Sequence, residues 1–171
     1  MATMATGRHA DTGWWVKQGA IGGAIAGIVF AMFEMLATAL MNGAAAFFMP
    51  LRMIGAIVLG QGALQPSYPL LTAGLAGMVV HMMLSVVFGI VFALLVASVP
   101  ALASSTMALL AAASAYGLLL WLVNFYLIAP AAGWVWFTES NPVVQFLAHT
   151  VMFGTALGFY LDRVRARRGT I

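Results

Sequence analysis

The sequence predicts an all-α, polytopic membrane protein: four transmembrane helices in an antiparallel bundle, with a short interfacial or re-entrant helix between the first and second. Three observations carry that expectation. Hydrophobic residues make up 64% of the 171 residues and charged residues only 6%, against roughly 25% charged in soluble domains, so no water-facing surface can be assembled from this chain. Mean hydropathy is +1.04, and almost charge-free apolar runs of spanning length, roughly 18 residues or more, recur along the sequence. All but one of the seven basic residues collect at the two ends. The sequence pI of about 9.8 therefore speaks of orientation in a bilayer and argues against nucleic acid as a partner. Cysteine is absent, which removes disulfides, thiolate metal sites and cysteine nucleophiles together.

Residues 1–18 read as a polar N-terminal tail closing on Trp14, Trp15 and Lys17, residue types that membrane interfaces select. The first span covers residues 19–41. At about 1.5 Å per residue it measures about 34 Å, enough to cross a hydrocarbon core of about 30 Å, and it is too long for the roughly 7–15-residue core of a signal peptide. Pro50, Gly60, Gly62, Pro66 and Pro69 break the next stretch. The piece between them, Leu51–Leu59, is too short to span and is expected at the membrane interface with Arg52 at headgroup level. The second span, residues 70–99, is framed by Pro69 and Pro100 and is long enough to tilt or project. Ser104 and Ser105 suit the start of the third span, residues 105–128, as caps. The link to the fourth span holds Trp134, Trp136, Phe137 and Glu139 and reads as an aromatic belt. The fourth span, residues 143–161, completes a single transmembrane domain over 19–162 and runs into a basic tail over 163–171.

Arg8 and Lys17 precede the first span, and Arg163, Arg165, Arg167 and Arg168 follow the last. An even number of spans puts these six basic residues on one side, which by the positive-inside rule is the cytoplasm.

Small and polar residues mark packed faces in lipid, where no hydrophobic drive brings helices together. Gly19, Gly23 and Gly27 share one face of the first span with Ala31, Glu34 and Thr38, at spacings of three or four residues. They form two overlapping GxxxG motifs, suited to close packing inside the bundle or to a homodimer face. Gly74, Gly77, His81, Ser85 and Gly89 repeat the device in the second span. Ser114, Gly117, Trp121 and Asn124 lie along the third, and Gln145 and His149 along the fourth.

Each span thus carries one strongly polar side chain: Glu34, His81, Asn124 and His149. Counting from the non-cytoplasmic helix ends, Glu34, Asn124 and His149 lie about 11, 7 and 9 Å deep, and His81 about 16 Å from Leu70 in the longest span. All four are expected to converge in the outer half of the bundle. An ionisable group at such depth is a functional-site candidate by default, with His81 and His149 the natural partners of Glu34. Four readings stay open. The cluster is a structural network; or His81 and His149 hold a b-type haem; or His81, His149 and Glu34 bind zinc, iron or copper, with nearby methionines suited to Cu(I); or Glu34 and the histidines line a proton or small-solute path. No catalytic set is legible. No dinucleotide-binding or phosphate-binding glycine motif occurs, and no histidine lies near Ser104 and Ser105 to activate them.

The segments HMMLSVVFGIVFALL, WLVNFYLIAP and AHTVMFGTALGFYL resemble those of small bacterial four-span membrane proteins of uncharacterised function. The resemblance implies a bacterial inner-membrane location with four spans, and it carries no catalytic residues over. The expected role is that of a non-enzymatic structural or accessory subunit, with the lipid bilayer and other membrane subunits or further copies of the chain as partners.

Overall fold

The computed structural model describes residues 3–168. Side chains are described from residue 12 onward, Pro100 excepted, so the extreme ends of both expected tails and the Arg8 side chain lie outside the described residues. Five helices organise the chain: α1 Thr3–Asn42, α2 Met49–Leu59, α3 Leu70–Ser98, α4 Thr106–Ala131 and α5 Pro142–Arg168. Among the described residues, α1, α3, α4 and α5 are long and apolar enough to cross a membrane, α2 is a shorter apolar helix, and no strand occurs. Helix α1 begins well before the expected residue 19, since no proline between Thr3 and Gly19 interrupts its hydrogen bonding. Helix α5 likewise continues past Leu161 through the arginines.

The ends follow local chemistry. Ser105 caps α4 by accepting from the Ala108 amide, and Asn141 caps α5 by accepting from the Val143 and Val144 amides, which removes orphan donors at each N-terminus. Pro130 has no N–H to give the Tyr126 carbonyl, and α4 widens into a π-helical turn over Asn124–Ile128, one of the adjustments that accommodate proline in membrane helices. Helix α4 then stops at Gly133, whose φ of 73° permits the paired closing bonds Gly133 N–H to Pro130 O and Trp134 N–H to Ala129 O, a Schellman ending.

Close backbone crossings hold the bundle. Gly19, Gly23 and Gly27 of α1 face Gly89, Ser85 and His81 of α3, and a Cβ at Gly19 would sit 2.7 Å from the Gly89 carbonyl oxygen. The ladder read from the sequence is therefore covered by α3 of the same chain. Gly77 backs onto the Leu51 carbonyl of α2 and Gly55 onto the Ala73 carbonyl of α3. Gly74 takes no part: a Cβ there would meet nothing within 4 Å, because α2 crosses on the Ala73–Gly77 side. Helix α5 packs antiparallel to α1 through Gly22 against Leu157 and Tyr160, and antiparallel to α4 through Gly117, Ala113 and Gly154. No comparable approach joins α3 to α4; Tyr116 bridges them by donating to the Phe88 carbonyl at 3.0 Å and stacking on Phe92.

These pairings fix the course of α2. Leu51 is level with Gly77, one turn from His81, which is itself level with Gly27 on α1. The chain thus leaves α1 at Asn42, returns about 16 Å along the bundle and rises again through α2, the path of a re-entrant segment. Arg52 holds that excursion in place by donating to the Ala63, Gln65 and Tyr68 carbonyls at 3.0, 3.1 and 3.0 Å. The aromatic link of residues 134–137 departs from the expected belt. Trp136 is buried and donates to the Met53 carbonyl at 3.0 Å, and it packs with Trp134 and Phe137 over Ala56, Ala63 and Ala73. These rings cover the re-entrant helix because its small residues leave a surface that only bulky side chains can fill.

Candidate functional site: a chamber between α3 and α4

The missing α3–α4 crossing leaves a cavity of about 510 Å³ in the half of the bundle that holds the α1–α2 and α4–α5 links. Its walls are mostly apolar and aromatic, with Phe30, Phe88, Phe125 and Phe137 prominent. All four polar residues singled out from the sequence, Glu34, His81, Asn124 and His149, line it, together with Gln145. A second cavity of about 520 Å³ lies toward the loops and is bordered by Thr38, Asn42, Glu139 and Asn141. Glu34 and Gln145 line both cavities and, with Pro50, Met53 and Ser140, stand between them.

The four residues share one chamber without bonding to one another. Glu34 is 5% exposed, and its partner is Gln145, whose Nε2 donates to Oε2 at 3.1 Å. This corrects the expected pairing with the histidines. Each imidazole turns to a backbone carbonyl: His81 Nε2 donates to Gly27 O at 2.8 Å, and His149 Nδ1 to Gln145 O at 2.9 Å. A carbonyl can only accept, so those nitrogens carry the hydrogens, leaving Nδ1 of His81 and Nε2 of His149. Glu34 Oε1 is buried with no hydrogen-bond partner. Such an atom is uncommon, since buried polar groups are nearly always bonded.

Phe30 explains why the histidines stay apart. Its ring lies 5.2 Å from that of His81 and 4.8 Å, edge-on, from that of His149, while Phe125 stands edge-on to the same His149 ring at 5.4 Å. A haem with axial imidazoles from His81 and His149 would need its macrocycle where Phe30 lies, and His81 Nε2 is already committed to Gly27. The residues do not fit that group. Nor do they fit a metal held by Glu34, His81 and His149: among the described residues no three His, Cys, Asp or Glu side chains come together as a ligand set.

Both polar groups on the α4–α5 side sit on π-helical backbone. Asn124 opens the turn Asn124–Ile128, and His149 lies in the segment Ala148–Thr155. Such departures from α-helical pairing recur at functional sites. In α5 the segment coincides with the crossing of Gly117 over the His149 carbonyl. It is braced by Thr155, which donates to Thr150 O at 3.1 Å; the hydroxyl hydrogen is thereby spent, so Ser114 donates to Thr155 Oγ1 at 2.7 Å.

Gln145 was legible as a member of the same stripe as His149 but carries no charge to mark it as the partner of Glu34. Phe30 and Phe125 had no distinguishing signal among so many apolar residues. No family model, curated protein or solved structure matches the chain.

Proposed function

We propose that this small integral membrane protein performs no covalent chemistry and takes up a small molecule with a largely apolar body in the chamber between α3 and α4. The observation that carries the reading is the position of the Glu34–Gln145 pair, a buried polar pair between two cavities, with one carboxylate oxygen left over beside a chamber walled mainly by aliphatic and aromatic side chains. Ligand pockets of roughly 300–1,000 Å³, mainly apolar with a few placed polar groups, have this character. The mouth supports uptake from the bilayer: Val58, Met83 and Ile128 line the chamber and are 60%, 57% and 42% exposed. An inner-membrane orientation with both termini cytoplasmic is part of the same proposal. It is supported by Lys17 and the α5 arginines at the terminal end, whereas Arg52 at the loop end spends its guanidinium on three carbonyls.

A photoactivatable aryl diazirine tests the chamber in lipid nanodiscs. Labelling of Leu120 and Phe125 is expected to saturate and to fall at least fivefold under excess butylbenzene, while labelling of outward-facing Leu75 persists. Equal, uncompeted labelling of all three would overturn the reading.

An accessory role in a larger membrane assembly is a second reading, favoured by α4. Only 17% of its most apolar window is buried within the chain, against 33–39% for the other spans, so this helix has the most face left for another subunit. Co-migration of a second membrane protein that is lost on introducing Leu119→Trp would support it.

A further inference from the structure

The chamber has a chemical preference built into it. Glu34 lines the chamber and keeps Oε1 as a buried acceptor with no donor, while its other oxygen is satisfied by Gln145. No Lys or Arg lines either cavity, whereas two carboxylates do, Glu34 in both and Glu139 in the outer one. His81 and His149, the remaining titratable groups that face the chamber, each give one nitrogen to a backbone carbonyl. The remaining lining is mainly aliphatic but includes Phe30, Phe88, Phe125, Trp134, Phe137 and Phe153, and aromatic ring faces attract cations. A bound molecule that completes this site must bring a hydrogen-bond donor, positive charge and an apolar body.

Resting on the chamber reading above, we infer that the molecule taken up is a lipophilic amine, its protonated nitrogen donating to Glu34 Oε1 and its apolar part lying among Phe30, Phe125, Phe137 and Trp134. Charge-assisted hydrogen bonds of this type are the strong ones, and a donor brought by the ligand offsets the cost of burying a carboxylate oxygen without one. A neutral hydrocarbon of the same shape fills the cavity and leaves Oε1 as it stands. A quaternary ammonium has the charge but no N–H to give.

Four competitors against the diazirine label of Leu120 and Phe125 separate these cases: butylbenzene, 4-phenylbutan-1-ol, 4-phenylbutylamine and its trimethylammonium analogue. In the full-length wild-type chain in nanodiscs, the primary amine is expected to displace the label at a concentration at least tenfold below that of the quaternary analogue. In Glu34→Gln, the concentration of amine needed rises at least tenfold, while that of butylbenzene is unchanged. Comparing the same compound between the two proteins cancels its partition into lipid, and the butylbenzene result reports that the variant retains the chamber. A quaternary ion that matches the primary amine, or an amine whose potency survives Glu34→Gln, would overturn the inference and leave the chamber standing. Failure of all four compounds in the wild type would remove the chamber itself. Should Glu34→Gln not yield folded protein, the wild-type comparison of primary and quaternary amines, each corrected for its measured partition into empty nanodiscs, decides alone.

Discussion

Replacing Gly23 by alanine puts the α1–α3 crossing under direct test. The added Cβ would run into the Ser85 carbonyl oxygen and come within 3.0 Å of Gly89 Cα and 3.1 Å of the Ser85 carbonyl carbon. All three are backbone atoms of α3, so no side chain can swing aside and the helices must part. The neighbouring contacts at Gly19 and Gly27 loosen with them. Overpacking of a tight interior costs about 1–3 kcal/mol, and the rigid backbone on the receiving side places this substitution at the upper end. Alanine returns at most about 1 kcal/mol through its better helix propensity. The net expectation is a loss of about 2 kcal/mol, close to a thirtyfold change in the folding equilibrium. Gly74→Ala is the matched control: its Cβ meets nothing within 4 Å, so propensity acts alone and the variant gains about 0.5–1 kcal/mol. Unfolding of both variants by SDS titration in mixed micelles measures the difference. Equal stability of Gly23→Ala and the wild type, or equal loss from both variants, would refute the assignment of this glycine ladder to α3.

Two further substitutions probe the site and its support. Gln145→Leu deprives Glu34 of its described hydrogen-bond donor and is expected to cost about 3 kcal/mol, since an unpaired buried charged group bears its full desolvation penalty. Glu34→Leu combined with Gln145→Leu should recover at least half of that loss, and the same titration checks both; an unaltered Gln145→Leu would contradict the pairing. Arg52→Gln removes charge-assisted bonds to three carbonyls, each contributing about 1.5–3 kcal/mol. Hydrogen exchange at the Ala63, Gln65 and Tyr68 amides is expected to accelerate at least tenfold, and unchanged protection there would mean that Arg52 does not hold the link.

The sequence by itself determined the architecture and the half of the bundle in which the polar residues gather. Composition ruled out a water-facing surface, the length of the apolar runs set the four spans, and the prolines around Leu51–Leu59 marked a helix too short to be a fifth. Counting residues at a fixed rise was enough to expect Glu34, His81, Asn124 and His149 in one half of the bundle; all four line one chamber, although His81 lies level with Gly27, two turns from Glu34. Depth at that coarse level follows from counting alone, so it survives ignorance of the packing. Azimuth and partners do not. That Glu34 pairs with Gln145 rather than a histidine, that Phe30 stands between the two imidazoles, and that α3 and α4 remain apart were decided by tertiary structure alone. Each depends on how helices rotate about their axes, and that rotation is set by backbone crossings at Gly23, Gly77, Gly117 and Gly154. Glycine in a sequence says only that close approach is permitted, and Gly74 shows that the permission is not always used. The identity of the residue on the far side belongs to another helix, distant in the chain, and no local pattern encodes it.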